Sequence, residues 1–196
     1  MSNFPTSPSF TSVNFKINTP LIKTTTNSGK VTRVAMGHSF YTFTVKFPPM
    51  TPVDYGAING FVANQLGGYS AFQIVLPKIS YTKATQSPSG TPATTTSTNA
   101  GSFSVTVNGV GSGRTVLKSG DYFKFNNHSK VYMATADLTG DTTLNFSGAL
   151  VEDVPSGTQL TITAVPFTVI LDNEVQEYDS GLGGMVTMNL DMREVW

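Results

Sequence analysis

The stretch Phe40-Tyr41-Thr42-Phe43-Thr44-Val45-Lys46-Phe47-Pro48-Pro49 decides the reading of the chain. Tyr41, Phe43, Val45 and Phe47 alternate with Thr42, Thr44 and Lys46, and a period of two puts each set on its own face of a β-strand. One face is predicted to be core and the other wet. Pro48-Pro49 ends the strand, because proline has no N–H to give to a sheet ladder. Upstream, Val13, Phe15 and Ile17 alternate in the same way, and Thr24-Thr25-Thr26-Asn27-Ser28-Gly29-Lys30 reads as a turn or hairpin tip, since Asn, Ser and Gly tolerate the backbone angles of a reversal. Met1 to Ser12, rich in Pro, Ser, Thr and Phe, reads as an extended arm. Downstream, Thr51-Pro52-Val53-Asp54 is a helix start, with Thr51 as N-cap, Pro52 at the first helical position and Asp54 at the positive end of the dipole. Tyr55, Ile58, Phe61, Val62 and Leu66 fall on one apolar face, and Gly67-Gly68 stops the helix. Gly56 and Gly60 each cost about 1 kcal/mol relative to Ala, so packing against a sheet has to hold this helix. Phe72, Ile74 and Leu76 form the next strand, closed by Pro77.

From Thr85 to Ser102 there are six Thr, four Ser, two Pro and two Gly, without a charge or a large apolar side chain. Such a segment buries too little to offset its ordering entropy, and is expected to be a linker or long exposed loop. Beyond it, Phe103 to Val107, Tyr122 to Phe125, Lys130 to Ala134, Leu144 to Phe146 and Leu160 to Thr163 are short strand candidates separated by Gly, Asn and Asp turns. That spacing suggests a small antiparallel barrel or sandwich. After Val165-Pro166 come a strand from Phe167 to Leu171, an acidic stretch, a glycine-rich reversal, and a last strand in which Val186, Met188, Leu190 and Met192 alternate with Thr187, Asn189 and Asp191. Residues 1–84 hold strands and a helix but few partners for them, so this closing pair most simply completes their sheet. The predicted architecture is mainly β: an antiparallel β-sandwich with one helix from 1–84 and 165–196, a Thr/Ser-rich linker at 85–102, and an inserted small β-barrel, OB-like, at 103–164.

Composition narrows the function. The chain has 196 residues with 39% hydrophobic and only 12% charged, against a usual charged share of roughly 25%, and its 28 Thr and 19 Ser supply most of the polar surface. With no cysteine, disulfide frameworks, Cys-ligated metals and thiol catalysis drop out. Met1 to Thr19 has no basic region followed by an apolar run, so no secretory signal is expected, and no window is apolar enough to span a membrane. A net charge of zero argues against a nucleic-acid partner.

That zero conceals a dipole. Residues 1–130 hold 11 basic side chains and two acids, a net of +9, whereas residues 131–196 hold one basic side chain and ten acids, a net of −9. In one reading the basic N-terminal strands, with Lys16, Lys23, Lys30, Arg33 and Lys46, lie beside the acidic stretch of Asp172, Glu174, Glu177 and Asp179 in the same molecule. Such cross-strand pairs contribute roughly 0.2–1 kcal/mol each. In the other reading the positive flank of one copy meets the negative flank of the next, a head-to-tail contact that closes into a ring. Lys16, Lys23, Arg33, Lys46, Asp172, Glu174, Glu177 and Asp179 are accordingly candidate subunit-interface charges.

Candidates for chemistry are few. His38 and His128 are the only histidines, which leaves little for a metal site or a Ser-His-Asp triad. Gly109-Val110-Gly111-Ser112-Gly113-Arg114-Thr115 lacks the lysine and spacing of a phosphate loop and reads as a hairpin loop. Asp137-Leu138-Thr139-Gly140-Asp141 lacks the later ligands of a calcium loop and reads as a turn. The carboxylates between Asp172 and Asp179 have no aromatic platform nearby in sequence for glycoside hydrolysis. No catalytic, metal or cofactor residue is expected, and Trp196, the sole tryptophan, is expected to dock or fray.

Several of these elements look familiar together. Tyr41-x-Phe43-x-Val45-x-Phe47-Pro48-Pro49-Met50, Ile58-x-x-Phe61-Val62, Gly67-Gly68-x-Ser70-x-Phe72, and Pro166-Phe167-Thr168-Val169-x-Leu171 with Val186 to Val195 resemble the distal tail and tail-tip, or baseplate ring, proteins of long-tailed bacteriophages. Leu117-x-x-Gly120-Asp121-Tyr122-Phe123 with Lys130-Val131-Tyr132 is similar to small-barrel inserts in phage tail proteins. The resemblance implies a non-enzymatic virion component, assembled in the host cytoplasm. It implies a homomeric ring, a hexamer, around or beneath the tail tube, joining tube and hub to tip or fibre proteins. The alternative is a carbohydrate- or receptor-binding β module of a viral or surface adhesin, its barrel holding a host surface glycan through Phe103, Tyr122 and Tyr132.

Overall fold

A computed structural model describes residues 1–35, 37–173, 178–181 and 184–196. The first part of the chain supplies Ser2–Asn3 (β1), Ser12–Asn18 (β2), Leu21–Thr25 (β3), Val31–Ala35 (β4), Phe40–Lys46 (β5), the helix Pro52–Asn64 (α1) and Phe72–Ile74 (β6). The middle supplies Ala93–Thr94 (β7), Ser104–Asn108 (β8), Thr115–Leu117 (β9), Tyr122–Phe125 (β10), Val131–Ala134 (β11), Leu138–Thr139 (β12), Thr143–Ser147 (β13) and Leu160–Thr161 (β14). Phe167–Leu171 (β15), Tyr178–Ser180 (β16) and Val186–Glu194 (β17) follow.

Strand β17 is the centre of the first sheet. It pairs antiparallel with both β5 and β15, and the order runs β1-β6-β15-β17-β5-β2, with β16 also on β17. The alternation of β5 is realised: Tyr41, Phe43 and Val45 are buried, while Thr42 and Thr44 are only partly so. The sheet curls strongly. Phe15 on β2 reaches Phe167 on β15 with ring centroids 5.7 Å apart although two strands intervene, and Phe4 beyond β1 lies 6.2 Å from Phe47 beyond β5. Its two halves therefore face each other across one core in the manner of a sandwich. The arm from Met1 to Ser12 belongs to that core: Phe4 is buried, Phe10 packs beside it, and β1 pairs parallel with β6.

Helix α1 begins as the sequence implies, with the Thr51 hydroxyl accepting the Asp54 N–H at 3.3 Å. Ile58 and Val62 enter the sheet core, and the Phe61 ring meets Phe72 edge-on at 5.2 Å. A glycine is obligatory at the following turn. Gly68 has φ of +95°, and a Cβ there would stand 2.4 Å from the Leu171 carbonyl oxygen.

The middle of the chain forms a second sheet, β14-β10-β11-β13-β8-β7, around its own core of Val105, Phe123, Phe125, Tyr132, Leu144 and Phe146. The hairpin-like pair β9–β12 adds Val116, Leu117 and Leu138 to that core. Residues 85–102, expected as a linker or long exposed loop, are mostly exposed and run along this barrel as a strap. Ser89 and Gly90 donate to the Val110 and Gly109 carbonyls, Thr94 to Thr158, Thr98 to Val154, and Gly101 to Leu150, all at 2.8–3.0 Å. Through Ala93, bridged to Gln159, the strap joins β8 to the β14 edge and nearly closes the barrel. The backbone hydrogen bonds left unmade by two sheet edges order this segment, which apolar burial does not.

Candidate functional site

The most exposed regular element is the β3–β4 hairpin. Among the described residues it pairs only with itself, and all five residues of each strand are exposed. Leu21, Ile22, Val31 and Val34 are 47–56% accessible, and Lys23 stands directly opposite Arg33. Like charges in register oppose pairing, and a lone two-stranded hairpin is marginal in water. With Lys30 at its tip, the segment from Leu21 to Ala35 carries three cations and no acid.

The remaining candidate charges are dispersed. Lys16 on β2 faces Thr42, and Lys46 at the end of β5 lies opposite Ser12 and Asn189, both on the polar face of the curled sheet. Lys16, Thr42, Thr44, Asp172, Asn173 and Asp191 line a shallow polar hollow of about 250 Å³. Arg193 approaches Asp172 at 4.0 Å and lies over the Phe40 ring at 4.4 Å. Asp179 on β16 faces Thr187 and is exposed. Glu174 and Glu177 fall outside the described residues. Among the described residues no ion pair joins Lys16, Lys23, Lys30, Arg33 or Lys46 to Asp172 or Asp179.

Where the barrel meets the curled sheet, a buried ionic cluster appears. Lys130, just before β11, and Glu194, at the end of β17, are each 2% exposed and form an ion pair. Glu194 also accepts the Tyr41 N–H at 3.2 Å and the Val131 N–H at 2.9 Å. The Lys130 ammonium lies 4.8 Å from the centre of the Tyr41 ring and 4.3 Å from that of Trp196, so cation–π attraction supplements the carboxylate. Burial raises the Glu194 carboxyl and lowers the Lys130 ammonium, and their mutual attraction opposes both shifts. Burial likewise raises the Tyr41 phenol far above its usual range. Sequence reasoning passed over this pair, yet a signal existed: counting by two from Val186 through Met192 puts Glu194 on the core face, where a carboxylate needs a partner.

A second polar knot ties the segment just before the strap to the barrel. Asp121 accepts the Thr82 hydroxyl at 2.7 Å and the N–H groups of Lys83 and Lys118 at 3.0 and 2.8 Å, with the Lys83 ammonium at 3.2 Å. Burial alone would raise its carboxyl, but these donors together bring it below the usual range.

The residues weighed for chemistry have structural partners. Asp141 accepts the N–H groups of Val110 and Gly111 and so pins the glycine-rich loop, while Asp137 accepts the Ser119 N–H and pairs with Lys118 at 2.7 Å. His128 lies 2.9 Å from the Tyr132 hydroxyl and 3.0 Å from the Asn127 side-chain oxygen, and burial lowers its imidazole. The Tyr132 phenol is pushed up to about 12, mainly by burial. His38 meets Trp196 edge-on. Of the three aromatics considered for a sugar, Tyr122 is packed against Phe15, Tyr41 and Phe167, Tyr132 is 1% exposed in the barrel core, and Phe103 is 60% exposed. Among the described residues no group of three or more His, Cys, Asp or Glu is placed to hold a metal ion, and no helix is long and apolar enough to cross a membrane.

The molecule is mainly β, a curled sheet with an appended barrel, and the polar side chains weighed above are engaged by backbone and junction contacts. Residues 2–79, spanning β1 to β6 with the exposed hairpin and α1, match the family described as distal tail protein pb9, A domain, N-terminal. Over that stretch, about two-fifths of its length, the chain is similar to the N-terminal part of a phage distal tail protein domain. No curated protein matches the chain.

Proposed function

We propose that this chain is the repeating subunit of a ring, six copies in all, at the distal end of the tail, where it links the tail tube to tip or fibre proteins. The observation that carries this reading is the β3–β4 hairpin, which is fully exposed, apolar and cationic at once. Such an arm gains its order from a surface outside its own fold. The acidic stretch of Asp172, Glu174, Glu177 and Asp179 is its electrostatic complement on the next copy. Hairpin and acidic stretch are different surfaces, so their contact is heterologous and closes by rotation. In this reading Lys23 and Arg33 are interface cations on the hairpin, and Lys16 and Lys46 add to them from β2 and β5 of the curled sheet. The sheet domain comprises residues 1–84 and 165–196, the inserted barrel 103–164, and the strap at 85–102 travels with the barrel.

Native mass spectrometry of the purified chain tests this reading. The full chain is expected to give a closed oligomer, and a version with residues 21–35 replaced by a short Gly-Ser turn is expected to give a folded monomer. Oligomers that survive loss of the hairpin would refute the assignment.

A further inference from the structure

We infer that the buried Lys130–Glu194 pair is an orientation lock, fixing the angle at which the barrel stands on the curled sheet. The barrel rests on the sheet through the outer face of the β10–β11 hairpin, whose Tyr122 and Val131 enter the sheet core while Phe123 and Tyr132 point into the barrel. One end of that hairpin is tied down where the chain crosses between the modules. There Asp121 of the barrel binds Thr82 and Lys83. Lys130 lies at the other end, beyond the turn that follows Phe125. Four residues of strand separate the two ends, about 13 Å at the ~3.3 Å rise of a β-strand. A body held at one end and greased along its length by apolar contact pivots, because apolar burial is non-directional.

The second tether supplies direction. Both carboxylate oxygens of Glu194 are used, one by Val131 of the barrel and the other by Lys130 of the barrel and Tyr41 of the sheet. The Lys130 ammonium is confined between the Tyr41 and Trp196 rings. A buried ion pair of this kind adds little net stability over an apolar pair, but it penalises every arrangement that leaves either charge unpaired. This inference rests on the junction alone and holds whether or not the chain forms rings.

The chain has no cysteine, so spin labels can be placed at Asn59→Cys on α1 and Ser112→Cys on the barrel, both exposed positions. The double variant Lys130→Met with Glu194→Gln removes both charges and keeps one carbonyl oxygen, an acceptor for one of the two amides, Tyr41 or Val131, that use separate oxygens in the parent. Pulsed dipolar spectroscopy on labelled protein diluted into unlabelled protein is expected to show one narrow distance in the parent. In the folded double variant the distribution should be about twofold broader or more, since nothing then penalises the tilted arrangements. An unchanged width overturns the inference, because the apolar seam would then set the angle. A double variant that fails to fold overturns it too, because the pair would then be holding the fold together.

Discussion

Replacing Lys130 alone with methionine isolates one half of the junction pair. The ammonium disappears, while Glu194 remains 2% exposed with only the N–H groups of Tyr41 and Val131 as donors. Breaking a buried pair on one side costs about 3–5 kcal/mol, because it strands an uncompensated charge. For a chain of this size that corresponds to a fall in melting temperature of roughly 6–20 °C. The loss must also depend on pH in a definite sense. Without Lys130 the Glu194 carboxyl, already raised by burial in the parent, is raised further in the folded state. A carboxyl with a raised folded-state pKa contributes stability that is present below its unfolded value and is lost as pH rises through its folded value. The variant is therefore expected to lose little in mild acid and most of the 3–5 kcal/mol near neutrality and above. Urea unfolding followed by the fluorescence of Trp196, the only tryptophan, reads this directly, since its ring borders Lys130. A loss below about 1 kcal/mol at neutral pH, or one that does not change with pH, would refute the assigned burial and pairing.

Other perturbations follow from the same contacts. Gly68→Ala, with its Cβ driven into the Leu171 carbonyl at a φ of +95°, should lower stability by at least the ~1–3 kcal/mol of a strained backbone position, measurable by thermal unfolding. Asp121→Asn should cost about 1–3 kcal/mol and flatten the acid limb of the stability profile, because the lowered Asp121 pKa contributes stability present above its unfolded value and lost as pH falls through its folded value. Lys23→Glu with Arg33→Glu should leave monomer unfolding within about 0.5 kcal/mol of the parent, these being exposed positions, yet abolish the oligomer in native mass spectrometry. Unaltered assembly would remove the charge contact from the account.

Legibility in the sequence followed the type of interaction. Strands β5 and β17 were readable because apolar burial writes itself as a period, and the start of α1 because the Thr51–Asp54 cap is local; the helix stops earlier than the Gly67-Gly68 pair implied, with Gln65 as its C-cap, and Leu66, expected on its apolar face, is 69% exposed. The exposure of residues 85–102 was legible in their composition, but their attachment to the barrel was not, because it comes from backbone hydrogen bonds to edges far away in sequence. Ile17 kept its place in the alternation but is 48% exposed, since β2 is the open edge of the sheet. The division of the net charge was plain from the sequence, yet the pair that is buried, Lys130 with Glu194, lay outside the candidate interface set. Its partners are 64 residues apart, and only the inward register of Glu194 gave it away.

The central claim is that copies of this chain join edge to edge through the hairpin. Negative-stain electron microscopy of the purified chain at rising concentration examines that claim directly: the account expects closed rings of uniform diameter with six-fold averages. Particles that stay single at every concentration, with the β3–β4 amides nonetheless protected from hydrogen exchange, would contradict it.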